Sequence, residues 1–183
     1  MGDAAPLGAG ARHPHPLKLP RANWRVILRQ MAQTALETEA LDILGGARAV
    51  RAAAEGFSVE LGDLHWVSII RHGLPAKSFE ATAEAYALPQ AELAKALGLV
   101  VRTLQRRLAK RDRLTPEESE RNIRAARALA KANSVLGREN GRGWLREPSR
   151  ALGGAIPLSL LDTADGFTGV MDELGRIEHG VFS

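Results

Sequence analysis

The sequence predicts an all-α fold. Apolar residues recur at three-to-four spacing from Ala22 onward, and cap residues and glycines punctuate those runs. No stretch alternates apolar and polar residues as a half-buried strand would. With 183 residues, a chain of this length buries roughly 70% of its unfolded surface and needs no staple. The absence of cysteine excludes disulfides, thiolate metal sites and a cysteine nucleophile, so a cytoplasmic setting is expected. No apolar run reaches the roughly eighteen residues of a membrane span. Pro6, Pro14, Pro16 and Pro20 fall where a secretory signal would need an apolar core.

Residues 1–21 are rich in Gly, Ala and Pro without periodicity and read as a disordered arm. Residues 22–72 read as N-terminal helices. Trp24, Ile27, Leu28 and Met31 form one apolar run, and Ala35, Leu36, Ala40, Ile43 and Leu44 continue it until Gly45-Gly46. An Ala-rich stretch then ends at Gly56. Leu61, Leu64, Val67 and Ile70 suggest the next helical stripe, stopped by Gly73 and Pro75. His65 and His72 share that helix, and His13 and His15 the arm, but neither pair completes a ligand set, so no metal is expected.

Residues 73–136 read as a helix-turn-helix and a linking helix. Leu93 and Leu97 form a ridge, Ala94 permits a close crossing, and Gly98 supplies the turn. Leu104 and Leu108 anchor the second helix, leaving Arg102, Thr103, Gln105, Arg106 and Lys110 outward, with Arg107 at the margin. From Leu99 to Arg113 six cations face a single carboxylate, Asp112. Arg102, Thr103, Gln105, Arg106, Arg107, Lys110 and Arg111 are therefore the candidate DNA-binding residues, reading base edges and neutralising phosphates. Val100 and Val101 stand at the entry of that helix, where Ser, Thr or Asn would cap better. Thr115-Pro116-Glu117-Glu118 then spells a capping box for a helix running to Leu136, with Arg121, Arg124, Arg127 and Lys131 available to its outer face.

Residues 137–183 read as a compact C-terminal module. Trp144 and Leu145 are its apolar anchor, Pro148 stops their helix, and Gly153-Gly154 redirects the chain. Pro157 opens a helical turn, a further turn follows at Gly166, and Val170, Leu174 and Ile177 line the last helix. Gly141-Arg142-Gly143 reads as a loop and Gly8-Ala9-Gly10 likewise, since neither follows a strand. From Ala151 on, one cation, Arg176, stands against five carboxylates. The tip Val181-Phe182 suits either a partner's pocket or the chain's own core. No nucleophile elbow, phosphate loop or HExxH helix is present, so neither catalysis nor a cofactor is expected. A regulator with a C-terminal oligomerisation module remains an alternative to any reading in which that module binds another protein.

The run WL-x-x-P-x-x-x-LGG-x-x-P-L-x-L-L-x-T-x-x-G, then V-x-x-x-L-x-R-I-x-x-G, spans Trp144 to Gly180. It resembles the toxin-binding domain of the Xre/MbcA/ParS antitoxin family, and LGLVVRTLQRRL followed by LTPEESER resembles the helix-turn-helix and linking helix of the same family. The resemblance covers roughly Gly73 to Ser183. It implies a type II antitoxin whose partner is a RES-domain toxin acting on NAD, with repression of its own operon through operator DNA and a homodimer within the assembly. On that reading Trp144, Leu152, Gly153, Gly154, Pro157 and Leu161 belong to the toxin-binding surface. Asp172, Glu173, Arg176, Glu178, His179, Gly180, Val181, Phe182 and Ser183 complete it, the carboxylates meeting the cations of a nucleotide pocket and Phe182 filling its apolar side.

Overall fold

The computed structural model describes residues 21–46, 48, 50 and 64–180. Helices α1 (Arg21–Ile43), α2 (Leu64–His72), α3 (Lys77–Ala85), α4 (Gln90–Ala96), α5 (Val101–Lys110), α6 (Pro116–Leu136) and α7 (Arg138–Arg146) precede two 3-10 turns, Arg150–Leu152 and Pro157–Asp162, and a last helix α8 (Ala164–Glu178). Among the described residues the all-α expectation holds, with one antiparallel bridge between Pro75 and Arg113.

The axis of the molecule is α6. Its start is the capping box: Glu118 N donates to Thr115 Oγ1 at 3.2 Å, and Thr115 N donates to Glu118 Oε2 at 2.8 Å. Its middle buries Ala125, Ala126, Ala128, Leu129, Ala130 and Ala132. Alanine is the best helix former and the smallest side chain with a Cβ, so α1, α2, α3, α7 and α8 can all approach this one rod. Gly137, at φ +81°, ends it and turns the chain back into α7.

The helix-turn-helix unit closes on itself. Leu114 N donates to Leu74 O at 2.8 Å and Ala76 N to Asp112 O at 2.9 Å, so the segments before α3 and after α5 are clipped together. Gly73 is required there, because a Cβ would lie 2.3 Å from Leu114 O. Inside, Phe79, Leu93, Leu97 and Leu104 are buried with Tyr86, whose hydroxyl donates to Ala125 O at 2.9 Å. Burial pushes that phenol well above its ordinary pKa, so it stays a donor. Leu74 N donates to Ser119 Oγ, satisfying a buried amide from the neighbouring helix.

Four expectations are corrected. In α2 the buried residues are Trp66 and Ile69, with Ile70 half-buried, while Val67 is 39% exposed: the stripe is rotated from the one read in the sequence. Gly141-Arg142-Gly143 is helix, not loop. Gly166 lies in the first turn of α8 rather than in a turn before it. The cations of α6 face other parts of the chain, as described below. The helices before Gly73 serve this core: Ala40, Leu41, Ile43 and Leu44 are buried where α1 meets α6 and α3. The arm at 1–20, Leu61 and the Ala-rich stretch lie outside the described residues.

Candidate functional site

The first surface is α5. Leu104 is buried and Leu108 half-buried, as their spacing requires, and Arg102, Gln105, Arg106, Lys110 and Arg111 are exposed. Thr103 is half-buried at the flank. Arg102, Gln105 and Arg106 share one face at i, i+3 and i+4. Gly98 makes the turn at φ +63°, and Val100 is the N-cap with no side-chain acceptor, so the first amides of α5 stay open to an anion. Arg107 departs from expectation. Its Nε lies 3.1 Å from Glu118 Oε2, and its Nη1 lies 3.8 Å from Asp112 Oδ2 and donates to Arg113 O. That guanidinium ties α5 to the capping box of α6 and is removed from the DNA-facing set.

The second surface is the C-terminal module, and α6 holds it with a column of cations. Arg124 is buried; its Nε donates to Leu161 O at 2.9 Å, its Nη2 to Asp162 O at 2.7 Å and its Nη1 to Glu120 at 3.0 Å. Those carbonyls end a 3-10 turn and would otherwise lack donors. Burial lowers the Arg124 pKa, with the Glu120 carboxylate opposing that shift. Arg127 sits over the Phe167 ring at 5.5 Å, and Lys131 Nζ donates to Glu178 Oε2 at 2.6 Å. Arg121 reaches the other way, donating to Leu97 O and Gly98 O in the turn before α5.

Local geometry explains much of the motif. Gly153 and Gly154 adopt φ +67° and +82°. The loop they complete is closed by Ser149 N donating to Ala155 O and Gly154 N to Ser149 O. Thr163 caps α8 by accepting from Gly166 N, and a Cβ on Gly166 would lie 2.1 Å from Leu160 O.

The structure divides the candidate toxin-contact residues. Leu161 is fully buried and Pro157 is buried, so both are core, not surface: their place in the motif is structural. Trp144 and Leu152 are half-buried against the core. Gly153, Gly154, Asp172, Arg176, Glu178, His179 and Gly180 are exposed. Glu173 is half-buried and accepts from Arg176 Nε at 2.7 Å, and Glu178 is held by Lys131, so Asp172 is the carboxylate of this set with no ion pair among the described residues. Val181, Phe182 and Ser183 lie outside the described residues. The sequence reading missed Ile156, 40% exposed beside the glycine loop; an apolar residue between two turn signals was its only trace. No helix among the described residues is long and apolar enough to cross a membrane.

Comparison with known proteins matches this division of the chain. Residues 65–127 match the Antitoxin Xre-like helix-turn-helix domain and residues 131–180 the Antitoxin Xre/MbcA/ParS C-terminal toxin-binding domain. The chain is 36% identical over 177 residues to an Antitoxin Xre of Yersinia enterocolitica, covering 94% of this chain and 99% of that protein. It is 30% identical to an Antitoxin Xre of Photorhabdus laumondii (65% of this chain, 82% of that one). It is 29% identical to the Prs ADP-ribosylating antitoxin of a Sphingobium species (64% and 80%). The likeness thus reaches back past Gly73 into the N-terminal helices. The chain belongs to the Xre/MbcA/ParS family of type II antitoxins, which act by binding a toxin rather than by catalysis.

Proposed function

We propose that this antitoxin neutralises a RES-type toxin that consumes NAD or transfers ADP-ribose from it, by laying the C-terminal module over the toxin's NAD site. The supporting observation is the outward side of that module: a hydrogen-bonded glycine loop with exposed Ile156, next to the acidic end of α8. A pocket that binds a pyrophosphate is lined by cations, and Asp172 and the Glu173–Arg176 pair supply groups that can engage them. Gly180, at φ +68°, lets the chain leave the helix axis toward Val181 and Phe182, which fill the adjacent apolar space. The name of the Sphingobium relative points to the same class of toxin chemistry.

The same chain represses its own operon, with Arg102, Gln105 and Arg106 of α5 at the base edges and Lys110 and Arg111 on phosphates. Two antitoxin chains act together, so that two α5 helices meet successive major grooves about 34 Å apart. Both activities are placed in the cytoplasm, where NAD and operator DNA are present. Co-purification with the product of a neighbouring RES-type gene tests the reading. A stable complex without NAD turnover is the expected result. A chain truncated after Gly180 should keep its helical spectrum yet fail to protect cells; full protection would remove the tail from the mechanism.

A further inference from the structure

α1 carries apolar residues on two opposite sides. Toward its C-terminus, Ala40, Ile43 and Leu44 are buried and Leu36 half-buried against the body. On the other side Met31 (64% exposed), Thr34, Ala35, Thr38 and Asp42 are exposed, and with Glu39 and Arg138 they line a shallow groove. Spacings of three and four extend that outward line from Met31 back to positions 28 and 24, with position 27 beside them. Those positions are Leu28, Trp24 and Ile27, so the register of the helix puts a second apolar stripe on the side away from the core. Ala32 and Gln33 are exposed as well: by this point the helix has left the body.

We propose that this stripe is a self-association surface, on which α1 pairs antiparallel with α1 of a second copy of the chain. Charge selects that occupant. The N-terminal half of α1 holds Arg21, Arg25 and Arg29, and the C-terminal half holds Glu37, Glu39 and Asp42. A parallel pair would set like against like, whereas an antiparallel pair sets each basic half beside the partner's acidic half. Nucleic acid and anionic lipid would suit the basic half alone. Size agrees with charge. In an antiparallel pair centred on position 33, position 24 falls level with 42, 28 with 38 and 31 with 35. Trp24, Leu28 and Met31 thereby meet Asp42, Thr38 and Ala35, large against small at every level. The helix spans about 35 Å, several turns of such contact. This names the surface for the pairing put forward above, and it rests on α1 alone, independent of the toxin.

The test is the mass of the full-length chain by sedimentation equilibrium, without toxin or DNA. The expected result is a dimer whose dissociation constant rises at least about a hundredfold in Met31→Asp, with an unchanged helical spectrum. Arg25→Glu and Asp42→Arg should each weaken the dimer, and the double reversal should restore it. Orientation is read by oxidation, since the chain has no cysteine of its own. Met31→Cys/Ala35→Cys should crosslink into dimers and Met31→Cys alone should not. A chain that is monomeric at about 100 µM, a dimer indifferent to Met31→Asp, or crosslinking of the single Met31→Cys variant would overturn the proposal. None of these outcomes bears on toxin neutralisation, which the NAD assay reads separately.

Discussion

Two glycines of α7 should answer the same substitution with opposite signs. Gly143 has nothing within 4 Å of an added Cβ, so Gly143→Ala should deliver the ordinary helix-interior gain of about 0.8–1 kcal/mol. At Gly141 the added Cβ would lie 2.8 Å from the Ala132 carbonyl carbon and 2.9 Å from Ala132 O and Asn133 N. Ordinary contact begins at 3.4 Å, and all three atoms are backbone of α6, so no side chain can swing aside. Separating the two helices costs about 1–3 kcal/mol of overpacking, at the upper end for rigid neighbours, against the same propensity gain. The expected difference between the variants is about 2–3 kcal/mol, roughly 4–12 °C in Tm for a chain of this size. Thermal melts followed by circular dichroism, with matched denaturant titrations, read it directly. A Gly141→Ala protein that melts at or above the wild type would show that α7 does not lie this close to α6. It would also undo the placement of Trp144, which the same helix carries.

Further substitutions separate the cations by role. Arg106→Ala with Lys110→Ala should flatten the dependence of log K on log salt by about 2 from an expected slope near −3.6 for four phosphate contacts, measured by fluorescence anisotropy on operator DNA. Arg107→Ala should instead lower stability while leaving that slope unchanged, because its guanidinium is engaged by Glu118 and Asp112. Arg124→Met should cost about 2–4 kcal/mol in denaturant titration, since it strands the buried carbonyls of Leu161 and Asp162. Tyr86 is the chain's one tyrosine, and its folded pKa is raised above the ordinary 10.0. Its stabilising contribution is complete below that value and declines by up to about 1.4 kcal/mol per pH unit above it, as the unfolded phenol ionises. An alkaline absorbance titration should show the phenolate band arriving only with loss of helix.

How much of this was legible in the sequence depends on how far the deciding atom lies along the chain. The capping box of α6 and the turn at Gly98 involve partners within four residues, and both were readable. The orientation of the α6 cations was not. Arg124 finds acceptors 37 and 38 residues downstream, so periodicity shows that a charged stripe exists without showing that a second module covers it. Gly166 misled for a related reason. A glycine after Thr163 reads as a turn, yet it is needed inside α8 because Leu160 O occupies the space of its Cβ. The motif near the C-terminus was a sound guide to family but a mixed guide to contact. Pro157 and Leu161 hold the module together from within, and Ile156, outside the motif, is the apolar residue left at the surface.

The column on α6 bears on how the two surfaces communicate. Arg121 and Arg124, one helical turn apart, hold the turn before α5 and the end of the second 3-10 turn respectively. These two parts also touch directly: a Cβ on Gly98 would lie 3.7 Å from the Asp162 Cβ. A flexible linker would let a toxin-loaded module and a DNA-loaded helix ignore each other. Here both are fixed to one alanine-rich rod through groups that are buried or paired, and the cost of moving one against the other is the loss of those hydrogen bonds. The orientation of α5 toward DNA is therefore set by the same helix that positions the toxin-facing loop. A toxin seated on that loop is held at a defined place relative to the operator, and its bulk, rather than a conformational signal through the antitoxin, is what would decide whether two chains can occupy neighbouring half-sites.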